Sequence, residues 1–212
     1  VYDTTQVARR PRLLGWSWRA GSVLYRAQGA IDASFGARSF EAAFAWLAEM
    51  KRPIAELQFW GHGKWGRALI ERESFDRSAL APSHRLHPQL EALRERFVPN
   101  ALIWFRTCET LGANAGRDFA RALSDFTGAR VGGHTHVIGF WQSGLHELEP
   151  GATPSWDPAE GLAAGTPERP ERALPSKPGL PRTITCFQTL LPPEARDVPE
   201  PPVAKLIGPS QR

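Results

Sequence analysis

Cysteine and lysine are scarce in this 212-residue chain. Cys108 and Cys186 are the only cysteines, too few for a disulfide framework or a thiolate zinc cluster, although one bridge could form. Lys51, Lys64, Lys177 and Lys205 are the only lysines among 26 basic residues, so arginine carries most of the positive charge behind the formal net +4. That bias reflects genome composition more often than a ligand, and an isoelectric point of about 9.5 does not by itself argue for nucleic acid. There is no long apolar run, and mean hydropathy is −0.35, which excludes a membrane-spanning helix. No Gly-Lys-Ser/Thr run is present, which disfavours P-loop enzymes. The chain opens on Val1, with no charged-then-apolar stretch of the kind that marks a secretory leader. Location is left open, with the cytoplasm favoured.

Proline, by contrast, is plentiful but unevenly placed. Between Ile54 and Glu149 it occurs only at Pro82, Pro88 and Pro99, whereas from Pro150 to Pro209 it recurs every few residues. The organisation expected is an α/β core over 1–149 and a proline-rich excursion over 150–182. A strand over 183–191 then returns to the same domain, and a solvated tail follows over 192–212.

Within the core, two periods alternate. Strands are expected at Gly21–Arg26, Ile54–Trp60, Ala101–Phe105, Ala129–Val131 and Thr135–Trp141. Helices are expected from Ser39, with Phe40, Ala43, Phe44 and Leu47 on one stripe, at His87–Phe97 and at 115–127. Strands and helices in alternation imply a mainly parallel sheet with helices on both faces.

Ligands of such sheets bind beyond the carboxyl ends of the strands. Two reactive residues fall there: His62 in Gly61-His-Gly-Lys-Trp-Gly66, and Cys108 in Arg106-Thr-Cys-Glu-Thr-Leu-Gly112. One helical crossover joins the two strands, which predicts that they are neighbours and that His62 and Cys108 share a rim. A thiol beside an imidazole is the arrangement nucleophilic acyl transfer needs. The glycines around His62 allow a sharp turn, and the N–H groups of Gly63 and Cys108 are candidates for an oxyanion hole. Trp65, Glu109, His134, His136 and Trp141 are candidate substrate-binding residues. Glu109 and Glu147 are the acids considered for reading a basic substrate side chain, and Cys186 is expected to be core.

Gly61-His62-Gly63 after one apolar strand, and Cys108 after the next, resemble the caspase-like cysteine peptidases of clan CD. The stretch Cys108–Gly116, with Phe119-Ala-Arg-Ala-Leu123, Thr127-Gly-Ala-Arg-Val131 and Gly139, is similar to a bacterial branch with His-Gly and Cys motifs. The resemblance covers roughly residues 20–142, the span that holds both motifs. It implies an α/β three-layer caspase-like sandwich, Cys108 as nucleophile, His62 as general base and acid, no required third residue and no cofactor. Arg106-Thr-Cys-Glu109 departs from the Gln-Ala-Cys pattern of caspases, so an aspartate preference is not inherited. The partner implied is a peptide or protein substrate, with autoprocessing or an activating partner left open; neither a membrane nor a nucleic-acid partner is expected.

Other readings compete. Gly132-Gly-His-Thr-His136 places two histidines at i, i+2, which with His62 and Cys108 could make a divalent-metal site for a hydrolase. A polar strand face is the commoner explanation of that spacing. Arg9, Arg10, Arg12 and Arg19, interleaved with Trp16 and Trp18, could meet phosphates and bases. The domain could also be a catalytically inactive interaction module. Trp60, Trp65, Trp104 and Trp141 flank the rim in sequence, although buried aromatics are more often core.

Overall fold

The structure, a computed structural model, describes residues 1–5 and 13–188. Its elements are β1 (Tyr2–Asp3), α1 (Leu13–Ala27), β2 (Gly36–Ala37), α2 (Phe40–Ala48), β3 (Ile54–Trp60), β4 (His62–Lys64), β5 (Arg67–Ile70), β6 (Glu73–Asp76) and α3 (His87–Arg94). There follow β7 (Phe97–Arg106), α4 (Ala113–Thr127), β8 (Arg130–His134), β9 (Trp141–Gln142), β10 (Leu145–Leu148), β11 (Leu162–Gly165), β12 (Pro170–Ala173) and β13 (Ile184–Thr185).

Six strands in the order β10-β8-β7-β3-β1-β2 form the central sheet. Every pairing in it is parallel except that of β10, the antiparallel edge. The chain is therefore a mixed α/β protein with a mainly parallel sheet, as its alternating periods predict.

Register divides the sheet into two faces. Leu57 lies opposite Ile103 and Phe59 opposite Phe105, so these side chains point the same way. Phe40 and Phe44 of α2, Phe75 of β6 and Phe119 of α4 close over Phe59 and Phe105, with ring centroids 5.1 to 6.3 Å apart. This is the main core, joined by Leu90 and Leu93 of α3. The helix α2 starts where the sequence predicts. Ser39 has extended backbone and accepts the Ala42 N–H at 3.1 Å.

The other face carries Trp60, Trp104 and Arg106. The Arg106 guanidinium sits 4.3 Å from the Trp60 ring and 4.5 Å from that of Trp104. It donates to Gln142 Oε1 and to the carbonyls of Cys186 and Gln188. Here α1 packs, with Tyr25 edge-on to Trp60 at 5.5 Å. Leu102, Trp104, Leu145 and Ile184 form a second, smaller cluster.

Several expectations need correction. Gly21–Arg26 lies in α1 and is not a strand. Trp18, Gly21, Ser22 and Tyr25 recur at helical spacing, whereas Val23 and Leu24, which suggested a strand, are 64% and 42% exposed. The helix at His87 stops at Arg94, and Phe97 opens β7 opposite Ile54. Thr135–Trp141 is not a strand, because β8 ends at His134. Beyond it the backbone turns to other partners, Thr135 N–H to Gly144 O and Val137 N–H to Leu174 O.

The proline-rich excursion contains the β11–β12 hairpin. Of the returning strand only Ile184–Thr185 pairs, with β9; residues 189–191, the tail 192–212 and Arg9, Arg10 and Arg12 lie outside the described residues. Cys186 is half-exposed in the turn after β13 rather than core, since of that run Ile184 reaches the second cluster. The antiparallel sheet β4-β5-β6 and the edge strand β10 were not anticipated from the sequence.

Candidate active site

Trp60 and Arg106 are paired at the ends of neighbouring parallel strands, so β3 and β7 release their chains at the same edge of the sheet. Gly61-His62 and Thr107-Cys108 therefore lie on one rim, as predicted. From there the chain after β3 folds into β4, where His62 lies opposite Leu69 of β5. The imidazole rests edge-on against Trp18 of α1, with centroids 5.5 Å apart.

Gly63 joins the two segments. A Cβ at this position would stand 2.6 Å from the Cys108 carbonyl oxygen and 2.8 Å from Thr107 Cβ, and would also collide with Thr110 Oγ1. Only glycine lets the histidine hairpin press this closely on the cysteine loop. Gly66 N–H donates to Thr110 O, a second tie between hairpin and loop.

The loop Thr107–Gly112 is itself held on all sides. The Thr107 and Thr110 hydroxyls are 2.5 Å apart, and Thr110 Oγ1 donates to Cys108 O at 3.1 Å. Glu109 N–H donates to His136 O and Leu111 N–H to His134 O. Trp156, from the excursion, donates its indole N–H to Leu111 O at 2.9 Å. Glu109 and Ala113 have φ of 32° and 58°, in the left-handed region that side chains avoid, so the loop carries backbone strain next to the cysteine and at its exit into α4.

Burial sets the electrostatics. Cys108 Sγ is half-buried and lies 3.9 Å from Ile138 O, to which its S–H donates. Desolvation pushes the thiol up to about 11, the Ile138 hydrogen bond opposes this, and the Glu109 charge adds to it. Among the described residues no hydrogen bond joins His62 to Cys108, and burial favours the thiol form of the sulfur. Glu109 is 7% exposed, and burial raises its carboxyl to about 7 against the pull of Lys64. Its Oε2 is buried without a partner among the described residues.

The remaining candidates divide. His134 is fully buried, its Nδ1 donates to Ser143 O at 3.2 Å, and burial pushes it down to about 3. His136 is buried beside Thr135, and desolvation lowers it as well. Both frame the cysteine loop through their carbonyls. Trp65 is buried against Gly112 beneath the Lys64 ammonium, 4.8 Å from its ring. Trp141 is 37% exposed and edge-on to Phe140. Glu147 is away from the loop, ion-paired with Arg130. Among the described residues no three His, Cys, Asp or Glu side chains converge as metal ligands, so His62, His134, His136 and Cys108 do not form one cluster.

Sequence reasoning missed four contributing residues. Thr107 and Thr110 brace the loop, Arg106 anchors the returning segment, and Glu160 of the excursion binds both Thr135 and His146. A basic residue at the end of an otherwise apolar strand was the one available signal, at Arg106. The Glu160 contacts depend on how the excursion folds back, which no local pattern encodes.

Fold and rim together define a mainly parallel α/β domain with a histidine hairpin pressed against a cysteine loop. Compared with known proteins, the chain matches no family model, no curated protein and no solved structure.

Proposed function

We propose that this chain is a cysteine peptidase of caspase-like type, with Cys108 as nucleophile and His62 as proton carrier. The observation that carries this reading is the Gly63–Cys108 contact, which brings the segments of both residues together at the carboxyl ends of adjacent parallel strands. The sheet with helices on both faces, the paired strand ends and the order of the two motifs support the caspase-like, bacterial-type assignment.

In the proposed reaction Cys108 Sγ attacks a peptide carbonyl while His62 accepts the thiol proton. The carbonyl oxygen becomes an oxyanion, held by the N–H groups of Gly63 and Cys108. Collapse breaks the C–N bond, His62 returns the proton to the leaving amine, and the acyl group remains as a thioester. Water, deprotonated by His62, then releases the acid and restores the thiol. With the thiol near 11, the thiolate fraction at neutral pH is of the order of 10⁻⁴. Proton transfer to His62 therefore accompanies attack rather than preceding it. In this reading Glu109, beside the nucleophile with Oε2 unpartnered among the described residues, accepts a basic substrate side chain, and the exposed ring of Trp141 serves as a further substrate contact. The partner is a peptide or protein substrate, with an activating partner or autoprocessing supplying control. No described helix is long and apolar enough to cross a membrane.

A catalytically silent interaction module is the second reading, favoured by the buried thiol and the missing His62–Cys108 hydrogen bond. A fluorogenic peptide library separates the two. The peptidase reading expects cleavage by the native chain and none by Cys108→Ala at unchanged stability. Equal turnover by both proteins would remove Cys108 from the reaction; no turnover by either leaves the silent module standing.

A further inference from the structure

We propose that Glu160 is a positioning residue of the Cys108 site, acting through Thr135 to hold His136 in the tautomer that carries its proton on Nδ1. Its bearing on catalysis rests on the peptidase reading; the tautomer itself does not.

Thr135 is fully buried, and its single hydroxyl proton has three neighbours: Glu160 Oε1 and His136 Nδ1, each at 2.9 Å, and Gly144 O at 3.5 Å. Partial burial raises the Glu160 carboxyl, but the hydrogen bond and charge of His146 and the hydrogen bond from Thr135 together hold it below the usual carboxylate range, which favours the ionised form. An ionised carboxylate can only accept, so the hydroxyl proton goes to Glu160, the closest charged acceptor. Thr135 Oγ1 then has only lone pairs to offer His136. The contact at 2.9 Å is a hydrogen bond only if His136 Nδ1 carries the proton, which leaves a lone pair on Nε2. Burial lowers the His136 imidazole and so favours the neutral ring, against the opposing pull of Glu160.

The cluster leaves no space to rearrange. His146 Nε2 donates to both oxygens of Glu160 at 3.0 Å, and its ring stacks on Trp156 at 4.8 Å. Gly144 and Gly161, with φ of 61° and 77°, pack against Thr135 and His136; a Cβ at Gly144 would stand 2.6 Å from His136 Nδ1, and one at Gly161 3.2 Å from it. The frame matters to the nucleophile because His136 O receives the Glu109 N–H, the first backbone bond after Cys108. Glu160, twenty-four residues downstream of His136, thus ties the excursion to the cysteine loop.

Long-range ¹⁵N–¹H correlation of the full-length protein reads the tautomer directly. For His136 it should show a protonated, pyrrole-type Nδ1 and an unprotonated Nε2. Thr135→Val, which keeps volume but removes the hydroxyl, should move the proton to Nε2, and Thr135→Ser should keep it on Nδ1. Glu160→Gln, which removes the charge that orients the hydroxyl, should give a mixture. The same Thr135→Val change should speed iodoacetamide alkylation of Cys108 several-fold at fixed pH by loosening the loop, with Thr135→Ser restoring the native rate. A native His136 protonated on Nε2, or one that stays on Nδ1 in Thr135→Val, would overturn the tautomer. A tautomer switch with an unchanged alkylation rate would overturn the positioning role. Both measurements work whether or not any peptide is cleaved.

Discussion

Glu109 is the residue with the most to lose from its position. Its carboxyl is drawn up from an ordinary 4.5 to about 7 because burial penalises the charge more than Lys64 rewards it. A carboxyl raised in the folded state binds more protons there than in the unfolded chain between those two values. Its contribution to stability is therefore intact below pH 4.5, is lost as pH rises towards 7, and remains lost above. Glu109→Gln should stabilise the protein at pH 8 relative to native by up to about 3–4 kcal/mol, with little effect at pH 4.5. Urea unfolding at the two pH values measures this, and an equal increment at both would show that the carboxyl is not desolvated as described. Retaining such a residue beside a cysteine fits a site that lowers its own cost when a cationic group arrives.

Among the elements, the contact between the β4 hairpin and the cysteine loop decides whether the site exists. Gly63→Ala places a methyl against backbone at Cys108 and a side chain at Thr110, neither of which can yield cheaply. The expected cost is about 1–3 kcal/mol, together with loss of any His62-dependent reactivity of Cys108. An alanine variant of native stability and native reactivity would mean that the hairpin and the loop are not in contact. What the sequence revealed at this level follows a physical division. The helix α2, its Ser39 cap and β3 were legible because cap, stripe and apolar run are local patterns. Gly21–Arg26 misled because Val23 and Leu24 face solvent, while the contact that holds α1 here is that of Tyr25 with Trp60, far along the chain. The segment after His134 misled in another way: its alternation suggested a strand, but its backbone partners are Gly144, just before β10, and Leu174 in the excursion. His62 and Cys108 could be nominated from strand ends alone, whereas the Thr135–Glu160–His146 network could not, since it forms only when the excursion folds back.

For the molecule as a whole, the two faces of the sheet do different work. One holds the ring cluster of Phe40, Phe44, Phe59, Phe75, Phe105 and Phe119 and supplies the main core. The other holds Arg106 between two tryptophans and binds α1 and the returning segment to the sheet. Cys108 and His62 emerge where these layers meet, with α1 touching His62 through Trp18 and the excursion touching the cysteine loop through Trp156. The scarcity of cysteine thus has a structural counterpart: Cys108 lies on the rim, and Cys186 offers its carbonyl to Arg106. The most direct test of the central claim is the second-order rate of Cys108 modification by a peptide acyloxymethyl ketone, in native protein and in His62→Ala. Selective labelling of Cys108 is expected, falling at least about 100-fold in His62→Ala, while modification by iodoacetamide stays within a factor of about two. Equal peptide-ketone rates in the two proteins would contradict it.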